Sequence, residues 1–239
     1  ITMSSNQPAN LLKDPVAPTI KRMTIPMIYG MVLLMAFNLI DTFFVSLLGT
    51  QPLAAISFTF PVTFTVISLM IVLGSKDYNS AKNSATASLY LAAIIVMLLS
   101  SVAYLFTDEL FTLLGAKASL LPLIHQYIDI WYIGGVFLIG PMIGNAILRA
   151  SGDTKTPSLI MGGSGLINAI LDPIFIFGFG PFPAMGIQGA AIATLISWIV
   201  GFLFVLYILT KQKNLIHTHF LKLKQFIYSF RIILKIGLP

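Results

Sequence analysis

The 239-residue chain is 57% hydrophobic and 9% charged, with mean hydropathy +0.92, a net charge of +6 and no cysteine. A soluble domain carries roughly a quarter charged residues to solvate its surface, so a water-solvated fold is excluded, as are disulfides and thiolate metal sites. The useful unit of length is then the membrane span, about 20 apolar residues.

Residues 1–24 form a polar leader, expected on the cytoplasmic side, and the apolar run after it is too long for a signal-peptide core. Six apolar runs follow, at 25–48, 53–74, 87–106, 123–148, 158–180 and 187–210, and none holds Lys or Arg. Strands of a membrane barrel would be half as long and would alternate apolar with polar. These runs are apolar all round, so the expected fold class is all-α integral membrane, a transmembrane unit spanning 25–210. Glycine and proline inside several runs are tolerated where neighbouring helices re-satisfy the backbone.

Basic residues set the expected orientation. With the N-terminus inside, Lys21, Arg22, Lys82, Arg149, Lys155 and Lys213 are among thirteen basic residues on cytoplasmic segments, against Lys117 alone outside. Both ends of the chain are therefore expected inside a cell (inner) membrane. The scatter of these charges over membrane-flanking loops accounts for the basic balance with no nucleic acid as partner.

Residues 211–235 change character. Ile216, Phe220, Leu223, Ile227, Phe230 and Leu234 recur at three- and four-residue spacing while Lys224, Arg231 and Lys235 fall on another face. That pattern reads as a basic amphipathic linker helix in the inner interface. The last residues, 236–239, read as the start of a second lobe: Lys235 precedes Pro239 by four residues, as Arg22 precedes Pro26, and transporters are commonly built from repeats.

Three acids lie inside apolar runs: Asp41, Asp129 and Asp172. A charge at the bilayer centre costs at least ~2.5–3.5 kcal/mol on insertion scales, which makes each a functional candidate. Asn38 sits about one turn before Asp41. Asn168 lies four residues before Asp172, on the same helix face. Pro173 has no N–H to give to the Ala169 carbonyl, so that oxygen is left to face a cavity. Carboxylate, amide and carbonyl oxygens suit Na⁺ or a proton rather than a soft metal. The competing reading makes Asp172 and Asn168 polar glue between helices. Asp129, beside His125 near the outer end of its run, reads as an interfacial pair.

Several separated stretches resemble the multidrug and toxic compound extrusion (MATE) transporters. Ile25-Pro26, then 38–45, Leu48-Gly49, 53–56 and Phe60-Pro61 are similar to that family's first two helices. The turn Arg149-Ala150-Ser151-Gly152-Asp153-Thr154, closing at Pro157, resembles its R-A-x-G-D-T-x-x-P signature. Residues 168–173 and 186–194 resemble its fifth and sixth helices. Acids at both Asp41 and Asp172 are similar to the DNA-damage-inducible (DinF-like) branch.

The resemblance implies the amino-terminal, six-helix lobe of a twelve-helix antiporter, exporting small cationic molecules in exchange for Na⁺ or H⁺. It needs no cofactor or enzymatic chemistry, and its partners would be the bilayer and a carboxy-terminal lobe. It also implies an ion site at Asp41, Asn168, Asp172 and Thr194, with Tyr127 nearby; Asp153 reads as a helix cap. Around Gly74 the sequence departs from the family pattern, which carries a further small-residue segment there. Weighed against an antiporter are a lipid-linked-oligosaccharide flippase, which would want basic residues inside the cavity; a membrane-embedded enzyme, which would want clustered His and acids; and a channel.

Overall fold

The structure, a computed structural model, describes residues 15–61 and 81–217. The abrupt stretch near Gly74, most of the second span, the amphipathic linker beyond His217 and the chain end 236–239 lie outside the described residues. Within them the fold is helical. Helix α1 is Val16–Ser46 and α2 occupies 50–61 of the described chain; α3 is Ala81–Leu105, α4 Thr107–Leu113, α5 Leu121–Ala150, α6 Lys155–Phe177 and α7 Ile187–Tyr207. Among the described residues, five of these helices, α1, α3, α5, α6 and α7, are long and apolar enough to cross a membrane.

Two boundaries differ from the sequence expectation. Helix α1 starts at Val16, so the part of the leader from there onward is helical although it is polar. Helix formation needs only backbone bonds, and hydropathy marks what lies in lipid rather than where a helix begins. The short α4 in the outer connection was not anticipated either. At the other end, α7 closes in a π-turn, Ile208–Gln212, where the Lys213 amide reaches the Ile208 carbonyl at 2.9 Å.

The packing order across the bundle is not the chain order. Helix α1 packs on α6, α6 on α7, α7 on α5 and α5 on α3. The α5–α7 seam is cut for close approach: Gly134, Gly140 and Gly144 of α5 face Leu195, Phe202 and Val205 of α7. Gly140 and Gly144 form a small-xxx-small pair, which in lipid substitutes tight packing for the missing hydrophobic drive. Outward faces stay apolar, as with Ile133 at 81% exposure, because lipid is their solvent. A core of Val45, Ala55, Ile56, Phe111, Ile128 and Ala190, among others, binds α1, α2, α4, α5 and α7 together.

Two polar ties hold the ends. At the expected outer end, His125 sets Nε2 2.9 Å from Asp108 and Nδ1 3.2 Å from Asp129. At the opposite end Asp153 caps α6: the Thr156 amide donates to Oδ1 at 3.1 Å and its hydroxyl to Oδ2 at 2.8 Å, while Lys213 lies 3.1 Å from Oδ2. Burial pushes the Asp153 carboxyl up, but the two Thr156 bonds and Lys213 outweigh it and leave it below its ordinary value of 3.8. A depressed carboxyl stabilises the fold above its unfolded value, and that stabilisation is lost as pH falls through the folded one. Thermal unfolding of Asp153→Ala at pH 7 should show a loss of about 1–2 kcal/mol, with Asn restoring the cap but not the ion pair. The difference between parent and variant should shrink below about pH 4.

Candidate functional site

Each acid of the candidate site arrives by a different route. Asp41 lies five residues before the end of α1, and Asp172 lies five before the end of α6. Because α1 packs on α6, the two carboxyls become near neighbours inside the bundle. Helical periodicity supplies the rest of the α6 face: Asn168, one turn before Asp172, donates through Nδ2 to Asp172 Oδ1 at 3.0 Å. The same amide approaches Thr194 Oγ1 of α7 at 3.2 Å. Three side chains from three helices, Asp41, Asn168 and Thr194, thus gather around Asp172, which is fully buried.

Two oxygens in this cluster stand out. Asp41 Oδ1 and Asp172 Oδ2 are buried without a hydrogen-bond partner among the described residues. A buried, unpaired carboxylate oxygen is costly, and a second carboxylate beside it adds repulsion. A proton or a hard cation relieves both. The donor set of carboxylate, amide and hydroxyl oxygens fits Na⁺, which tolerates irregular oxygen cages, as well as it fits H⁺. Pro173, inside α6, adds the Ala169 carbonyl as an oxygen without its helical donor.

Tyr127 of α5 is buried at 3% exposure and its hydroxyl feels the charge of both acids. Its ring stacks on Trp131, one turn along, with centroids 5.8 Å apart. Trp131 and Thr194 in turn share a narrow cleft with Leu195 and Trp198. Trp131 lies four residues after Tyr127, a spacing that ordinary core aromatics share, so the sequence does not mark it. Asn38, about one turn before Asp41, is exposed, and its carbonyl accepts the Thr42 hydroxyl at 2.8 Å. Asp129 and His125 belong to the outer tie and not to this cluster.

Helix α1 carries a local weakness that bears on the site. Pro26 interrupts its hydrogen bonding, and the Ser158 hydroxyl of α6 donates to the Pro26 carbonyl at 2.6 Å while also reaching the Thr154 carbonyl at 2.9 Å. Gly30 lets Ser158 approach this closely. The element holding Asp41 is therefore a proline-interrupted helix tied to the element holding Asp172.

Residues 26–174 match the MatE family model. The chain is 45% identical to an FAD transporter of Shewanella oneidensis, over 80% of this chain and 45% of the relative. It is 28% identical to the multidrug export protein MepA of Staphylococcus aureus, over 95% of this chain and 52% of the relative. Among solved structures, that of a Vibrio cholerae MATE transporter superposes with a TM-score of 0.79 at 30% identity, covering 93% of this chain and 53% of that one. The chain spans about half the length of the relatives it matches.

Proposed function

The chain belongs to the MatE family of membrane transporters, and on that footing we propose that it forms one lobe of a cation-coupled antiporter whose coupling site is Asp41, Asn168, Asp172 and Thr194. The observation that carries this reading is the pair of buried, unpartnered oxygens on Asp41 and Asp172. Polar glue would give each buried oxygen a donor; here two neighbouring carboxyls each keep an oxygen that no donor reaches. The coupling ion is Na⁺ or H⁺.

The mechanism follows from differential binding. Without an ion, two neighbouring carboxylates repel, which favours an arrangement that separates α1 from α6 or admits water. With Na⁺ or H⁺ between them, the repulsion is relieved and the closed arrangement is favoured. The proline-interrupted α1 is the element able to move between the two. A cationic cargo competes for the same charges, so loading one expels the other, which is the logic of exchange.

In proteoliposomes, as a transporter of full family length, the protein should move a cationic dye when either a Na⁺ or an H⁺ gradient is imposed alone. Dye movement that responds to neither gradient defeats the reading. A second reading of the cargo, a flavin dinucleotide, is favoured by the higher identity to the protein named for FAD transport, 45% against 28%. An anionic dinucleotide would be repelled by bare carboxylates, so the ion would promote its binding rather than compete with it. Saturating Na⁺ or low pH should therefore weaken dye binding but strengthen FAD binding, and the sign of the effect assigns the cargo.

A further inference from the structure

A cavity of about 420 Å³ lies away from the acid cluster, between α3, α5 and α7. Its long wall is apolar, formed by Leu89, Ala93, Val136, Ile143, Phe202 and Leu206, and its polar groups gather at one end, at Thr86, Thr210 and His217. Along α3 the lining runs from Thr86 to Ala93, and along α7 and its closing π-turn from Phe202 to Thr210. At 1.5 Å per residue that is roughly 10–12 Å of depth from the polar end into the apolar interior.

The polar end is held in shape. The His217 amide donates to the Thr86 hydroxyl at 2.9 Å, and its Nε2 meets Asn83 Oδ1 at 2.8 Å. The Lys82 ammonium donates to Asn214 Oδ1 at 2.5 Å. The chain leaving α7 is thereby strapped over the start of α3, one turn from the lining. Lys82 is held at this end through Asn214, and Lys211 follows the lining residue Thr210 in the chain. Asp153, an acid at this end of the bundle, is engaged by Lys213. The rim is therefore positive, the interior apolar, and the two are arranged along the membrane normal.

We propose that this cavity seats one acyl chain of an anionic phospholipid, with its headgroup phosphate at the Lys82 and His217 rim. The assignment rests on the reading that the end rich in basic residues faces the cytoplasmic leaflet. Anionic lipids collect there, and basic pockets between spans bind their headgroups. Charge decides the lipid class: a cation at the rim favours a headgroup carrying net negative charge over a zwitterion, and the depth suits a hydrocarbon tail rather than a compact solute.

Native mass spectrometry of the detergent-purified protein, titrated with phosphatidylglycerol or with phosphatidylcholine, tests this. Phosphatidylglycerol should be retained at one copy per chain in preference to phosphatidylcholine, and glycerol 3-phosphate, which has no tail, should not compete. Lys82→Gln, at a half-buried surface position, should lower phosphatidylglycerol retention about fivefold, the factor equivalent to ~1 kcal/mol for one basic residue at an anionic surface, and leave phosphatidylcholine unchanged. Ala93→Phe, which fills the apolar wall, should remove both lipids, with thermal unfolding checked in parallel. Equal retention of the two lipids, undiminished retention in a folded Ala93→Phe, or no lipid bound because protein covers the cavity would each overturn the proposal. None of these readouts depends on transport, so the lipid seat and the antiporter reading can fail separately.

Discussion

Replacing Asp172 by Asn is expected to cut ion-driven transport by about 5- to 150-fold, the range of a typical coupling free energy between two sites, while leaving the bundle folded. The amide keeps an acceptor for Asn168, which donates to Asp172 Oδ1 at 3.0 Å, so the Asn168–Thr194 contact at 3.2 Å has no reason to break. What is lost is a charge that an ion must neutralise. A thermal unfolding scan in Na⁺-free buffer therefore discriminates between roles. If Asp172 is coupling machinery, removing the charge of a buried carboxylate beside Asp41, one of whose oxygens has no donor, should leave stability unchanged or raise it, because the repulsion is gone. If it is structural glue, the same substitution should lower stability and leave transport intact. Asp41→Asn should behave alike, and the double variant should lose little more than either single one, since each alone abolishes the shared site. Normal transport by both single variants would remove the proposed site.

Gly189→Ala is expected to destabilise the α6–α7 pair by about 1–3 kcal/mol or more, the cost of forcing atoms into a packed site. An added Cβ at Gly189 would stand 2.4 Å from the Phe175 carbonyl oxygen and 2.8 Å from the Ile176 amide nitrogen. These are backbone atoms, and they are pinned from the other side: the Met185 amide donates to the Phe175 carbonyl at 2.9 Å and the Gly186 amide to the Ile176 carbonyl at 3.0 Å. No side chain can turn aside to make room. The displacement would fall on the stretch of α6 directly after Asp172, so coupling should suffer along with stability. Gly163→Ala is the control: it lies in α6, across the pair from Gly189 of α7, with open space around it, and should be neutral or slightly stabilising by helix propensity. Equal stability of the two variants in a thermal scan would show that the close α6–α7 approach is not needed.

The sequence by itself determined which segments meet the membrane and which residues are anomalous there. Twenty-residue apolar stretches, basic flanks and buried acids are local properties, set by the cost of placing charge or unpaired backbone in lipid. Even the Asn168–Asp172 contact was legible, because helical periodicity places residues four apart on one face. The Asp153 cap belongs with these, being local to the turn before α6.

Tertiary structure alone decided which helices are neighbours. Nothing in the apolar runs says that α1 lies against α6, with more than a hundred residues between them, yet that adjacency brings Asp41 to Asp172. Thr194 and Tyr127 entered the expected site only through family resemblance, since a hydroxyl on an apolar helix looks the same whether it meets an ion or a neighbouring helix. Trp131 behind Tyr127, Lys213 on Asp153 and the cavity strapped by His217 had no signal that stood out. The physical reason is the solvent. In water a helix advertises its buried face by an apolar stripe, but lipid is as apolar as the core, so lipid-facing and bundle-facing sides read alike. Spans are written in hydropathy; their partners are chosen by glycine seams, polar contacts and shape, which appear only once the helices are packed.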